Sequence, residues 1–200
     1  WARTGVSFTG TWDYLFGYGF LIPRSLTGVV GESIPQLHRS GVRAYFSQTA
    51  SAWPFDGHTT WLAARLLWNP EADPGELADE YFREYFGPAA VPMRAFFAAA
   101  ESAWMNQSGR GWWLRYWKDP WQAALLSETD LDTMRTLLEE AVRKAGEAAA
   151  DAETNGLRAD RFQQRVDTAR ILFEATEWLH RYQRHSWELQ AGRPGLEETA

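Results

Sequence analysis

Cysteine is absent from the 200 residues, which excludes disulfides, thiolate zinc sites and a cysteine nucleophile while leaving the compartment open. Long apolar runs are also missing. With a mean hydropathy of -0.44 and no stretch near the roughly 20 apolar residues a bilayer crossing needs, no membrane span is expected. Positive charge is scarce as well: 20 basic against 26 acidic residues leave a formal charge of -6. The counterion release that drives nucleic-acid affinity then has no source, and no nucleic-acid partner is expected. There is no Gly-rich phosphate loop, no His-Glu-x-x-His, no Gly-x-Ser-x-Gly and no EF-hand loop, so the common enzyme signatures do not apply. Of four histidines, His180 and His185 stand five apart on one helical pattern and point to different faces. Neither a metal nor a cofactor is expected.

What is present is a globular composition, 45 % hydrophobic and 23 % charged, with tryptophan in excess at 12 copies. Indole suits large cores and the stacking of flat ligands alike, so position must decide between them. The chain opens at Trp1 without the charged and apolar regions of a signal peptide, and reads as a fragment or a trimmed chain.

The order of elements begins as strand, helix, strand. Val6–Thr9 and Val42–Ser47 alternate with period two, and between them Ile34–Arg39 is helical and ends at Ser40-Gly41. Pro35 suits a first helical turn, where its missing N–H costs nothing. A βα unit of this kind builds parallel sheets with helices outside. A short helix over Thr59–Trp68 closes at Asn69-Pro70, and from Pro74 onward the pattern is helical throughout. Asp73 is placed to cap a helix with Pro74 at its first position, and Gly87-Pro88 stops it. Val91–Met105 forms the next helix. Eight of nine prolines and ten of twelve tryptophans lie within the first 121 residues, whereas the remainder carries 15 acidic and 10 basic residues. That remainder holds two long amphipathic patterns, one starting at a Ser127 cap, joined by a turn at Asn155-Gly156.

The residues that could carry chemistry cluster after the two strands. Trp12-Asp13-Tyr14 leads into an aromatic, glycine-containing stretch with Tyr18, Gln48 ends the second strand, and Trp53 stands in the loop beyond. Loops after strand C-termini form the ligand face of parallel β/α folds. Aromatic faces stack on the C–H face of a pyranose, while carboxylates and amides take its hydroxyls. Carbohydrate is the ligand class this pattern fits, with Asp13, Tyr14, Tyr18, Gln48 and Trp53 as candidate substrate-binding residues. Taken singly, each reads equally well as core: Trp12, Phe16 and Phe20 could anchor a loop and Asp13 could cap a turn. Gly17 and Gly19 serve backbone turns more readily than ligand approach. The aromatic run Gly111–Lys118 reads as a seal between helical layers rather than a stacking platform, and the acidic groups of 139–153 as solvated helix faces.

Trp12-Asp13-Tyr14 through Ile22-Pro23-Arg24, Gly41-Val42, Ala63–Pro70 and Tyr85–Ala90 together resemble the bacterial domain-of-unknown-function 4838 family (DUF4838), over roughly residues 5–105. That family is associated with glycoside hydrolase family 163. The resemblance implies an α/β plus all-α fold: 1–70 as the C-terminal strands and helices of a (β/α)₈ barrel (a TIM barrel) and 71–200 as a helical bundle domain. It implies hydrolysis of N-acetylglucosamine-containing glycans in the manner of an endo-β-N-acetylglucosaminidase, in an extracellular or periplasmic setting. The general acid would stand on a middle barrel strand, in the missing N-terminal half of the same protein, so that the fragment alone is inactive. Gln48 stands where a catalytic glutamate would be wanted, and an amide cannot transfer the proton. A non-catalytic carbohydrate-binding module and a helical interaction domain are the alternatives. The latter would show a continuous apolar stripe on the exposed side of residues 127–190.

Overall fold

The computed structural model describes residues 5–15, 22–48, 53–106, 123, 126–150 and 156–191. Among the described residues the chain is mostly helical with one small sheet. The order is β1 (Gly10–Tyr14), α1 (Thr27–Arg39), β2 (Ala44–Gln48), α2 (Trp53–Trp68), α3 (Pro74–Phe86), a 3₁₀ turn (Gly87–Ala89), α4 (Ala90–Asn106), α5 (Glu128–Ala150) and α6 (Gly156–Ala191). β1 and β2 pair in parallel, Gly10 against Ala44 through Tyr14 against Gln48. No helix among the described residues is long and apolar enough to cross a membrane.

The first strand lies four residues further on than its alternation suggests, so Trp12, Asp13 and Tyr14 belong to β1 itself and not to the loop after it. α1 begins at Thr27, which puts Pro35 in the helix interior instead of the first turn. There it cannot donate to the carbonyl of Gly31, and the helix is held by burial of Val30 and Ile34 in the turns before it. The end of α1 follows the expected chemistry. Gly41 has φ +87°, its N–H donates to the His38 carbonyl at 3.0 Å and that of Val42 to Leu37 at 3.1 Å. This is the paired-bond arrangement of a Schellman motif.

α2 starts at Trp53, six residues before the expected Thr59, so Trp53 opens a helix rather than standing in a loop. Phe55, Asp56, Gly57, His58 and Thr59 are all buried, and this tertiary burial overrides the weak helical signal of a Pro- and Gly-containing first turn. α3 follows its local signals: Asp73 Oδ1 accepts the Glu76 N–H at 2.9 Å, with Pro74 at the first position. At α5, Asp130 N–H donates to Ser127 Oγ at 3.1 Å and Ser127 N–H to Asp130 Oδ2 at 3.0 Å, a reciprocal capping box. Gly156 opens α6, while Asn155 and the aromatic run 111–118 lie outside the described residues.

Two apolar clusters hold the chain. One joins Leu15, Val30, Ile34, Leu62, Ala63, Leu66 and Leu77 beneath the sheet, with Tyr45 packed against it. The other runs from Phe55 through Phe82, Phe86, Met93, Phe96 and Phe97 to Leu131, Met134, Val166 and Phe173 in the helical part. α2 contributes to both, Leu62 and Leu66 to one and Phe55 to the other.

Candidate functional site

The parallel register sets the two strand ends side by side, and alternation then sorts their side chains. Thr11, Asp13, Leu15, Tyr45 and Ser47 share the face toward α1 and α2, where Tyr45 meets the core. Trp12, Tyr14, Phe46 and Gln48 share the other, more open face. There Trp12 and Phe46 are 61 % and 52 % exposed, with ring centroids 4.5 Å apart. Going up this face toward the C-terminal ends, cross-strand partners are Gly10 with Ala44, Trp12 with Phe46, and Tyr14 with Gln48.

Of the residues singled out in the sequence, the structure brings Tyr14 and Gln48 together and puts Asp13 on the opposite face. Asp13 is engaged there: Tyr45 donates its phenolic hydrogen to Oδ2 at 3.0 Å, and Oδ1 accepts the Tyr14 N–H at 2.7 Å. Partial burial and the Asp13 charge push the Tyr45 phenol far above its ordinary range. Ser47 accepts the Leu15 N–H at 3.3 Å and donates to the Gln48 carbonyl at 3.0 Å, fixing the strand ends. Trp53 lies past the end of β2, 43 % exposed. Its indole folds over its own first turn, where a Cβ on Gly57 would come within 2.7 Å of Cε2. Glycine at that position makes room for the ring. Tyr18 lies outside the described residues.

The segments that follow the two strands meet in a buried polar joint whose members the sequence did not bring together. Arg24, Ser25, Asp56, His58 and Thr59 are each less than a tenth exposed. His58 Nε2 is 2.9 Å from Ser25 Oγ, and Ser25 Oγ donates to Glu101 Oε2 at 3.2 Å. With the serine hydrogen directed at Glu101, the Nε2–H tautomer of a neutral His58 satisfies Ser25 as acceptor. Burial lowers His58 to about 3, and its ring lies 4.2 Å from that of Phe97. Glu101 also accepts the Gly28 N–H at 2.8 Å. It thereby caps α1, whose N-cap residue Leu26 has no side chain able to do so. Burial raises the Asp56 carboxyl to about 7, against the pull of Arg24, whose own burial lowers it. The Arg24 guanidinium lies 5.0 Å from the centre of the Trp104 ring in α4. In the sequence Asp56 precedes the helical pattern that begins at Thr59; the actual start of α2 at Trp53 places it in a buried first turn.

A cleft of about 850 Å³ opens between α1, α3 and α4, with Phe82, Val91, Ala95 and Phe97 in its walls and Ser25 and Glu101 shared with the joint. No residue of β1 or β2 lines it, and its mostly apolar walls carry charged groups of both signs, Glu32, Asp79, Glu101, Arg83 and Arg94. Among the described residues no three His, Asp or Glu groups converge to hold a metal ion.

No curated protein and no solved structure matches the chain. Residues 6–98, which span β1 through most of α4 and so contain both strand ends and the Arg24–Asp56 joint, match the family described as Domain of unknown function (DUF4838).

Proposed function

We propose that this chain is part of a glycoside hydrolase acting on N-acetylglucosamine-containing glycans, with residues 1–70 forming the last wall of a (β/α)₈ barrel and 71–200 a helical domain. The observation that carries this reading is the one-sided cover of a parallel strand pair. α1 and α2 pack on one face, and the side chains of the other rise in cross-strand pairs to Tyr14 and Gln48 at the C-terminal ends. Barrel walls have helices outside and layered side chains within, and their ligands sit at the C-terminal face.

On this reading Gln48 hydrogen-bonds the sugar's polar groups, and Tyr14 and Trp53 offer ring faces to its C–H surface. Asp13 acts from behind the wall, holding Tyr45 and the Tyr14 backbone. The residues of this chain bind, and the general acid comes from an earlier barrel strand. The Gly57→Ala and Gln48→Ala variants test the reading by calorimetric titration with an N-acetylglucosamine-terminated oligosaccharide. The wild-type protein should bind, Gln48→Ala should weaken binding about tenfold through loss of hydrogen bonding, and Gly57→Ala should weaken it by displacing the Trp53 ring. No binding by the wild type, or equal binding by all three, would overturn the assignment.

A further inference from the structure

The long helix α6 is apolar on two sides. One side, apolar at Val166, Ala169 and Phe173 and continued by the polar Thr176, His180 and Gln183, is buried against the rest of the helical part. Along the other, Ile171, Trp178, Tyr182 and Leu189 are 57 %, 69 %, 68 % and 58 % exposed, with half-buried Ala175 and exposed His185 between them. At about 100° and 1.5 Å per residue, these six positions fall in one band roughly 80° wide and about 27 Å long. The Arg181 guanidinium lies 4.9 Å from the centre of the Trp178 ring and steadies it on the surface.

The spacing of this stripe is symmetric about position 180. Against an antiparallel copy of itself, Trp178 meets Tyr182, Ile171 meets Leu189, and the small Ala175 meets the larger His185. A patch that matches itself under a two-fold rotation is what an isologous interface requires. Aromatic side chains carry about 150–250 Å² each, so the exposed parts of these four large residues amount to on the order of 500 Å² per copy. Two copies would bury about 1,000 Å² from the stripe alone, the lower bound for a specific interface, before flanking atoms are added. We propose that a second copy of this chain packs antiparallel along the exposed face of α6, making a two-fold symmetric dimer through Ile171, Trp178, Tyr182 and Leu189.

Sedimentation equilibrium of the intact chain between about 1 and 100 µM tests this, since an interface near the lower size bound should dissociate within that range. The wild type should be a dimer at the upper end. Trp178→Glu/Tyr182→Glu should weaken association at least about a hundredfold with an unchanged circular dichroism spectrum, and Ile171→Glu/Leu189→Glu, at the stripe's two ends, should do the same independently. The absence of native cysteine makes orientation readable. Ala175→Cys and His185→Cys proteins should form a disulfide when mixed and oxidised, and neither should cross-link alone. A monomer at 100 µM, an oligomer indifferent to both glutamate pairs, or self-linking of Ala175→Cys would each overturn the proposal.

Discussion

Tyr45 reaches across the parallel strand pair and donates its hydroxyl to Asp13 Oδ2 at 3.0 Å, on the face of the sheet that α1 and α2 cover. The carboxylate's other oxygen holds the Tyr14 N–H, so one acid ties the neighbouring strand to the backbone of the residue that turns toward the open face. Tyr45→Phe should lower stability by about 1 kcal/mol, below the usual range for a hydrogen bond to a charged group because the site is only part-buried. In an Asp13→Ala background the same change should cost little. Urea denaturation of the four proteins of this double-mutant cycle measures the coupling, and a cost for Tyr45→Phe that is equal in both backgrounds would show the bond contributes nothing.

The buried polar joint should reveal itself through pH. Asp56 goes from an ordinary 3.8 to about 7 on folding, so the folded protein holds this proton more tightly, and the stability attached to it falls as pH rises from about 4 to 7. His58 goes from 6.5 to about 3. Here the unfolded chain binds the proton more tightly, and the attached stability rises as pH rises from about 3 to 6.5. Each slope approaches about 1.4 kcal/mol per pH unit at full difference, and the two oppose one another across the shared window. Asp56→Asn should therefore expose a stability that climbs with pH between about 4 and 6.5, while His58→Gln should expose one that declines. Thermal melts of the wild type and both variants at several pH values measure this. Parallel profiles for all three would remove the two groups from the pH dependence.

Two glycines with positive φ should respond differently to a methyl group. At Gly41, φ +87°, a Cβ would meet nothing within 4 Å, and Gly41→Ala should cost only the conformational strain of about 1–2 kcal/mol. At Gly87, φ +53° with ψ -118°, a Cβ would collide with the ring of Phe162 in α6. Gly87→Ala should cost about 3 kcal/mol or more, since strain and displacement of a buried ring add. In a Phe162→Ala background Gly87→Ala should cost less, whereas Gly41→Ala should cost the same. Equal costs at the two positions would show that backbone strain alone decides.

Local chemistry was legible where one or two turns of chain contain the whole cause. The Asp73-Pro74 start of α3, the Ser127 capping box of α5 and the Gly41 end of α1 each depend on a side chain and backbone groups within a few residues, and no distant packing is needed to specify them. The switch from period-two alternation to helical spacing likewise located the passage from a βα arrangement to helices, because it reflects which face each local element buries. Carboxylate, amide and indole near the strand ends were visible as residue types.

Tertiary structure decided what those residues do. The start of α2 at Trp53 depends on burial of Phe55, Asp56 and His58 by distant helices, a cause absent from the local sequence. Strand register assigned Asp13 to the covered face and Gln48 to the open one, because a one-residue step reverses the direction of a strand side chain. The protonation behaviour of Asp56 and His58 arises from desolvation on packing, with the Arg24 charge opposing the shift at Asp56; the Phe97 ring against His58 is supplied by α4, distant in sequence. Composition and spacing determine which groups a chain possesses; the dielectric around them and the partners within reach are properties of packing, and packing alone made an aspartate on a helix's first turn into a buried acid.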